Sequence, residues 1–214
     1  MTIEVVTQET NHRFRGNALA EQHRLRYRTI IERQHWDVPK IRDIEYDQYD
    51  NPATTYLIWR DRYGAARGVS RLCPTDRNFM LKDHFSHMVS YTEMPSSSFV
   101  VEGSRFCVDN TLSAEIRGQI AREIVVSYLE YGLAYGIKQI VGVMYPVYWN
   151  NLFTKNGWEP VWIGDITVTP DGKKSRAAAL NISEETLLSV RMKTNIYGCP
   201  LYFGEDEDSQ VRAA

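Results

Sequence analysis

The sequence predicts an α/β domain built on a single mixed sheet, and three observations carry that expectation. Ile116, Ile120, Ile124, Tyr128, Tyr131 and Tyr135 recur at three- and four-residue steps, the spacing of one amphipathic helix over about 114–135. Apolar runs that suit strands flank this helix, Ser98–Val108 before it and Gln139–Met144 after it. Upstream, Thr55–Trp59 and Ala66–Leu72 bracket a turn at Asp61–Gly64 and read as a hairpin.

The remaining elements follow in chain order. Ile3–Val6 alternates weakly and reads as a first strand. A polar helical stretch then runs to about Trp36, with Leu19, Leu25, Ile30 and Ile31 as its apolar side. It also carries Arg13, Arg15, Arg24, Arg26, Arg28 and Arg33, a locally basic segment. Residues 38–52 read as a long polar loop holding Asp43, Glu45, Asp47 and Asp50, and loops of that length in a compact domain usually have a function. Beyond the long helix, which Gly136 can terminate, 147–156 reads as a helix stopped by Gly157 and 158–168 as a strand. The acidic run Glu205–Asp208 reads as a solvated tail. The order β, α, β, β, β, α, β, α, β describes one three-layer domain over 1–214.

Composition narrows the function. Of 214 residues 43% are hydrophobic and 24% charged, which excludes a disordered or collagen-like chain. The net charge of -2 argues against a nucleic-acid partner. No stretch approaches the ~20 apolar residues of a membrane span, and the first residues lack the apolar core of a signal peptide, so a cytoplasmic protein without a membrane partner is expected. Cys73, Cys107 and Cys199 form no CxxC pair and are expected to be reduced and inert. His84 and His87 are close together but lack further ligands, so no metal site is expected.

The segment Leu152–Val161, a helix stopped by glycine and leading into an aromatic-led strand, resembles the end of acyltransferase domains of the GNAT type. In such domains the strands on either side of the long helix splay apart and receive the pantetheine arm of an acyl thioester. Here those strands are Ser98–Val108 and Gln139–Met144. The glycine-rich turn that normally holds a pyrophosphate has only a poor counterpart, Arg117–Ala121. A narrower resemblance lies in the ordered polar residues: Arg24-Leu-Arg26, Trp36, Asp47-Gln-Tyr-Asp50, Arg71, Phe85 and Glu102-Gly-Ser-Arg-Phe106. In this order and spacing they resemble the acyl-homoserine-lactone synthases over about residues 24–106. The GNAT-like ending extends the match to about 160. Ile30 stands where that family often has phenylalanine.

The resemblance implies a two-substrate reaction without a cofactor. An acyl thioester acylates the α-amine of S-adenosylmethionine, the methionyl carboxylate attacks its own γ-carbon, and methylthioadenosine leaves as the lactone closes. A helical part over about 8–52 would bind S-adenosylmethionine, an acyltransferase-like core would span about 53–204, and the tail would be 205–214. Trp36 offers an aromatic face to the sulfonium. Asp47 and Asp50, three apart, can face one cation if that stretch turns, and Arg26, Arg71 or Arg105 can take the carboxylate by a two-pronged hydrogen bond. Phe85 completes this set. The plain alternative is that these arginines and aspartates pair with one another.

The amine must lose a proton, and Glu102, in an otherwise apolar strand, is the candidate acceptor, directly or through a water. Its alternative is a carboxylate locked by Arg71 or Arg105. In a regular strand Glu102 and Ser104 share a face and Arg105 points away, so a shared site requires a bulge, for which Gly103 is the candidate. Backbone N–H groups near Arg105 and Phe106 are expected to hold the oxyanion. Glu102, Ser104, Arg105 and Arg71 form the catalytic set. Phe99, Val101, Val143, Tyr145, Trp149 and Phe153 are expected to line the acyl pocket, where a valine at 143 and the nearby aromatics favour a short, branched or aryl chain without a 3-oxo group. Coenzyme A and an acidic acyl carrier protein both remain open as thioester carriers, with Lys138, Lys155, Lys173, Lys174 and Arg176 as candidate contacts for the latter. The competing reading is an ordinary GNAT N-acyltransferase that uses acyl-CoA and another amine.

Overall fold

A computed structural model describes residues 2–169 and 172–205. In chain order its strands are β1 (Ile3–Val6), β2 (Lys40–Ile41), β3 (Ile44–Glu45), β4 (Thr55–Arg60), β5 (Ala66–Pro74), β6 (Val100–Val108), β7 (Gln139–Met144), β8 (Val161–Trp162), β9 (Thr167–Val168), β10 (Lys174–Asn181) and β11 (Leu201–Tyr202). The helices are α1 (Ala18–Arg26), prolonged by a π turn over Tyr27–Glu32, α2 (Met80–His84), α3 (Ala114–Ala134), α4 (Pro146–Tyr148) and α5 (Glu184–Thr194). Residues 206–208 of the acidic run lie outside the described residues.

The chain forms two compact units. The first comprises residues through Arg71, Arg105–Ile124 and the chain from Pro200; the second comprises Leu72–Ser104 and Val125–Cys199. β1 pairs antiparallel with β4, Val5 opposite Leu57, which ties the N-terminal segment to the hairpin.

In the first unit β11 pairs parallel and β4 antiparallel with β1, so its strands pair in both senses. Residues alternate along β4: Tyr56 and Ile58 join a core with Leu25, Ile30 and Val69, while the Trp59 indole donates to Glu123 of α3. A Cβ at Gly68 would come within 2.4 Å of Ile120, so glycine there lets α3 close on the sheet. Helix α1 starts where Asn17 accepts the Ala20 N–H. Its inward stripe is Ala18, Gln22, Leu25 and Arg26, continued by Thr29 and Ile30 in the π turn. Leu19 and Ile31, expected on the apolar side, are only partly buried because polar residues occupy part of the helix's core-facing stripe.

In the second unit β6 and β7 run parallel and β10 antiparallel to β7. Gly103 lies under the Tyr128 ring of α3 and against Ile140, so Val101, Gly103 and Ile140 look toward α3. Val100, Glu102, Val141 and Val143 take the opposite face, toward α2. The helix expected over 147–156 is a composite of α4, a π turn and a 3-10 turn, closed by Gly157 at φ +87°. The strand expected over 158–168 is broken into β8 and β9, and β10, α5 and β11 were not anticipated.

Candidate functional site

The first unit buries a polar cluster beside its core. Arg26 donates through both Nη atoms to Asp50, at 2.7 and 2.9 Å, and through Nε to Glu45. Arg71 Nη1 reaches Asp47 at 2.6 Å and Asp50 at 3.1 Å. Arg105 spans Glu45, at 3.0 Å, and Asp47, at 2.7 Å. Three guanidinium groups thus meet three carboxylates, and the charges cancel. The 47–50 stretch does turn: Asp47 N–H donates to Asp50 Oδ2 and Tyr49 N–H to Asp47 Oδ1. The cation both aspartates face is Arg71, so the arginines and carboxylates expected to divide between the two ends of a ligand pair with one another in this structure.

Burial sets the electrostatics. Removal from water opposes the charge of Asp50, but the bonds and field of Arg26 outweigh it and hold the carboxyl well below the usual range. Burial likewise opposes the charge of Arg26, and Asp50 and Glu45 more than restore it. The Tyr56 hydroxyl donates to Asp50 at 2.7 Å, and burial together with that carboxylate pushes its pKa up. His23 Nδ1 lies 2.9 Å from the Glu45 carbonyl oxygen, which fixes the proton on that nitrogen; burial, then Arg26, lower its pKa. The Cys107 thiol is raised by burial, which keeps it protonated and inert.

Trp36 packs its ring against the core around Leu25 and Ile30, and its buried indole Nε1 has no hydrogen-bond partner among the described residues. Ile30 lies fully inside that core. Arg105 itself has a left-handed backbone, φ +54°, so the irregularity in β6 falls there and not at Gly103, whose missing side chain makes room for Ile140 and Tyr128. Ser104 is buried and Phe106 half-buried.

In the second unit the Glu102 carboxylate is 1% exposed and accepts the Met80 N–H at 3.1 Å and the Leu81 N–H at 2.6 Å, holding the start of α2. These backbone donors are partners the sequence could not name. β6 and β7 pair only over Val100–Glu102 with Gln139–Val141, although β6 continues to Val108 and β7 to Met144. This is the parting expected of these strands.

The residues expected to line an acyl pocket fall into different places. Val143 faces α2, with Phe85, Val89 and Met94 packed around the same cluster. Val101 faces α3, because alternate residues of a strand face opposite ways. Trp149 and Phe153 are buried in an aromatic core with Tyr128, Trp158 and Trp162. Phe99 is 58% exposed, and Tyr145 stacks on Tyr148 with Lys173 over its ring. Arg117–Ala121 lies inside α3 and forms no loop.

A sequence profile described as autoinducer synthase matches residues 10–190, a span that contains both the arginine–carboxylate cluster and the parted strands. The chain belongs to the autoinducer synthase family. An acyl-homoserine-lactone synthase of Agrobacterium fabrum is 31% identical over 171 residues, covering 78% of this chain and 80% of that one. One of Pseudomonas aeruginosa is 37% identical over 128 residues, 58% of this chain and 61% of its own, so here the match spans about three fifths of the relative's length. Among solved structures, the CoA-dependent acyl-homoserine lactone synthase MesI is 26% identical with a TM-score of 0.79, covering 94% of this chain and 100% of that one.

For an autoinducer synthase, the sequence signals for Glu45, Tyr56, His23 and Gln22 were faint. Glu45 is one acid among several in a polar loop, yet it is fully buried between Arg26 and Arg105. Gln22 and His23 sit on the helical stripe that ends at Arg26, and that stripe was the available clue.

Proposed function

We propose that this autoinducer synthase is an acyl-homoserine-lactone synthase that acylates the α-amine of S-adenosylmethionine and closes the lactone. The parted β6–β7 pair carries this reading, because a sheet that opens after three paired residues offers backbone groups to an acyl-thioester arm. The amine attacks the thioester carbonyl, the C–S bond breaks and the thiol leaves. The carboxylate oxygen then attacks the γ-carbon and expels methylthioadenosine.

The neutral cluster suits a methionyl group that carries both an ammonium and a carboxylate. Asp47 and Arg105, at 8% and 7% exposed, are less buried than Arg26, Glu45, Asp50 and Arg71, so their pair is the one a ligand would exchange, ammonium to Asp47 and carboxylate to Arg105. Arg26, Asp50 and Arg71 hold these two in place. Trp36 gives the sulfonium an aromatic face, worth about 0.5–2 kcal/mol, and Phe85 contributes apolar surface. In the second unit Glu102 is the proposed proton acceptor, acting through a water that Ser104 orders, since both its oxygens already hold α2. Arg105 and Phe106 N–H groups hold the oxyanion. The thioester rides on coenzyme A, as in the CoA-dependent synthase MesI. No cofactor beyond the two substrates enters this scheme.

The test is to incubate the purified protein with S-adenosylmethionine and short, branched or aryl acyl-CoA, and to measure methylthioadenosine by chromatography and the lactone by mass spectrometry. Equal release of methylthioadenosine and free thiol supports the reading. Thiol release on another amine without methylthioadenosine establishes an ordinary N-acyltransferase instead.

A further inference from the structure

We infer that residues 79–91 form a strap, clamped at both ends, whose inner side chains set the size of the acyl group this enzyme accepts; the inference rests on the acyl transfer proposed above. At the first end Glu102 accepts the Met80 and Leu81 N–H groups. At the other, the Ile163 carbonyl accepts both the Ser90 and Tyr91 N–H groups, at 3.0 and 3.1 Å, and the Tyr91 hydroxyl donates to Asp165. Gly164 completes that clamp. A Cβ there would lie 1.9 Å from the Met88 carbonyl oxygen and 2.8 Å from its carbon, so the two backbones touch where only glycine fits.

Between its ends the strap turns through α2 and a 3-10 turn over Ser86–Met88. Phe79, Leu81 and Met88 are fully buried against Val141, Ile163, Ala177 and Ala179. Ala177 and Ala179 stand opposite Val143 and Val141 across the β7–β10 ladder, so this face of the sheet is low beside Val143. Above it, Phe85, Val89, Met94, Val100 and Val143 all remain only partly buried. They pack against this same buried cluster, on the face of the sheet that carries Glu102, and of them Val143 lies just beyond the point where β6 and β7 part. An acyl chain entering between the strands on this face meets Val143 from the sheet, Val89 from the strap and Met94 just beyond its clamped end. Gly164 is a positioning residue in this scheme: it touches no substrate and acts by fixing how close the strap lies.

The experiment compares kcat/KM for isovaleryl-CoA and octanoyl-CoA in the wild-type protein and in Val89→Ala, Met94→Ala and Gly164→Ala, with KM for S-adenosylmethionine as the second readout. Each variant's fold is checked by its circular dichroism and Tm. Trimming Val89 or Met94 is expected to raise the octanoyl-to-isovaleryl ratio about tenfold, the scale of one or two methylenes in an apolar pocket. Gly164→Ala must part the two backbones by about 1 Å and is expected to move the same ratio in the same direction, with KM for S-adenosylmethionine unchanged. If Gly164→Ala does not fold, the two alanine variants decide alone. A ratio unchanged in folded variants that still turn over overturns the strap as a specificity element and leaves the proposed reaction standing. A change confined to KM for S-adenosylmethionine also overturns it. A wild-type protein that releases no methylthioadenosine with any thioester overturns the proposed reaction and the strap's role together.

Discussion

Replacing Asp50 with asparagine removes one negative charge from the neutral cluster and leaves every other heavy atom in place. Asp50 accepts from Arg26 twice, from Tyr56, from the Asp47 N–H and, at 3.1 Å, from Arg71. An asparagine offers one carbonyl oxygen to those donors and turns its amide toward the rest, donor against donor, while the buried cluster becomes net positive. Taking away one partner of a buried ion pair costs about 3–5 kcal/mol, against a total stability of about 5–15 kcal/mol. For a chain of 150–250 residues that corresponds to a fall in Tm of about 6–20 °C, read by circular dichroism at pH 7. Asp43→Asn is the matched control: its carboxylate meets Arg24 at 3.2 Å but is 64% exposed, and an exposed pair contributes about 0–1 kcal/mol. The pH dependence adds a second signature. Because the Asp50 carboxyl is held below its ordinary 3.8, the stability it contributes is complete above that value and is lost as pH falls through the lower folded value. The gap between wild type and variant is therefore constant from pH 5 to 8 and narrows only below about 4. A loss in Tm no larger than that of Asp43→Asn would refute the claim that this cluster holds the first unit together.

Tyr56→Phe removes only the hydroxyl bond to Asp50 and is expected to cost about 1.5–3 kcal/mol in urea unfolding, less than Asp50→Asn. His23 is lowered from 6.5, so its neutral form stabilises the fold fully above that pH and the contribution is lost as pH falls through the lower folded value. His23→Asn, which keeps a donor toward the Glu45 carbonyl, is expected to show a flatter stability curve below pH 6.5, by about 1.4 kcal/mol per unit of lost shift. Trp36→Phe replaces the indole with a smaller ring that attracts a cation less and deletes an N–H that has no partner among the described residues, so KM for S-adenosylmethionine should rise; an unchanged KM removes the Trp36 ring from sulfonium binding. Glu102→Gln retains one acceptor for α2, turns an amide toward the other N–H, and should lower both Tm and kcat. A kcat loss that recovers at higher pH would show that the amine can lose its proton without the carboxylate.

What the sequence made legible tracks how local each determinant is. β7 falls on Gln139–Met144 and α3 on Ala114–Ala134, within a residue of expectation, because apolar periodicity over a long helix and a short buried strand depends on the segment alone. The ordered signature brought Arg26, Asp47, Asp50, Arg71 and Arg105 together in advance, and the structure assembles all five in one cluster. The side chains expected to line an acyl pocket are not brought to one place, for a non-local reason. Val101 and Val143 come from strands that pair in register, Val101 opposite Ile140, and only that register shows that the two valines face opposite sides of the sheet. Trp149 and Phe153 were assigned by proximity in sequence to Val143. The irregular turn that carries them lies beneath Tyr128 and Trp158, where aromatic rings fill the core. Glu102 shows the same limit from the other direction. An acid in an apolar strand signals a buried carboxylate, but it accepts from backbone N–H groups 21 and 22 residues away, and a backbone donor has no signature in the sequence. The partners of a buried charge are predictable when they are themselves charged, as with Arg26 and Asp50, and become visible only in three dimensions when the main chain supplies them.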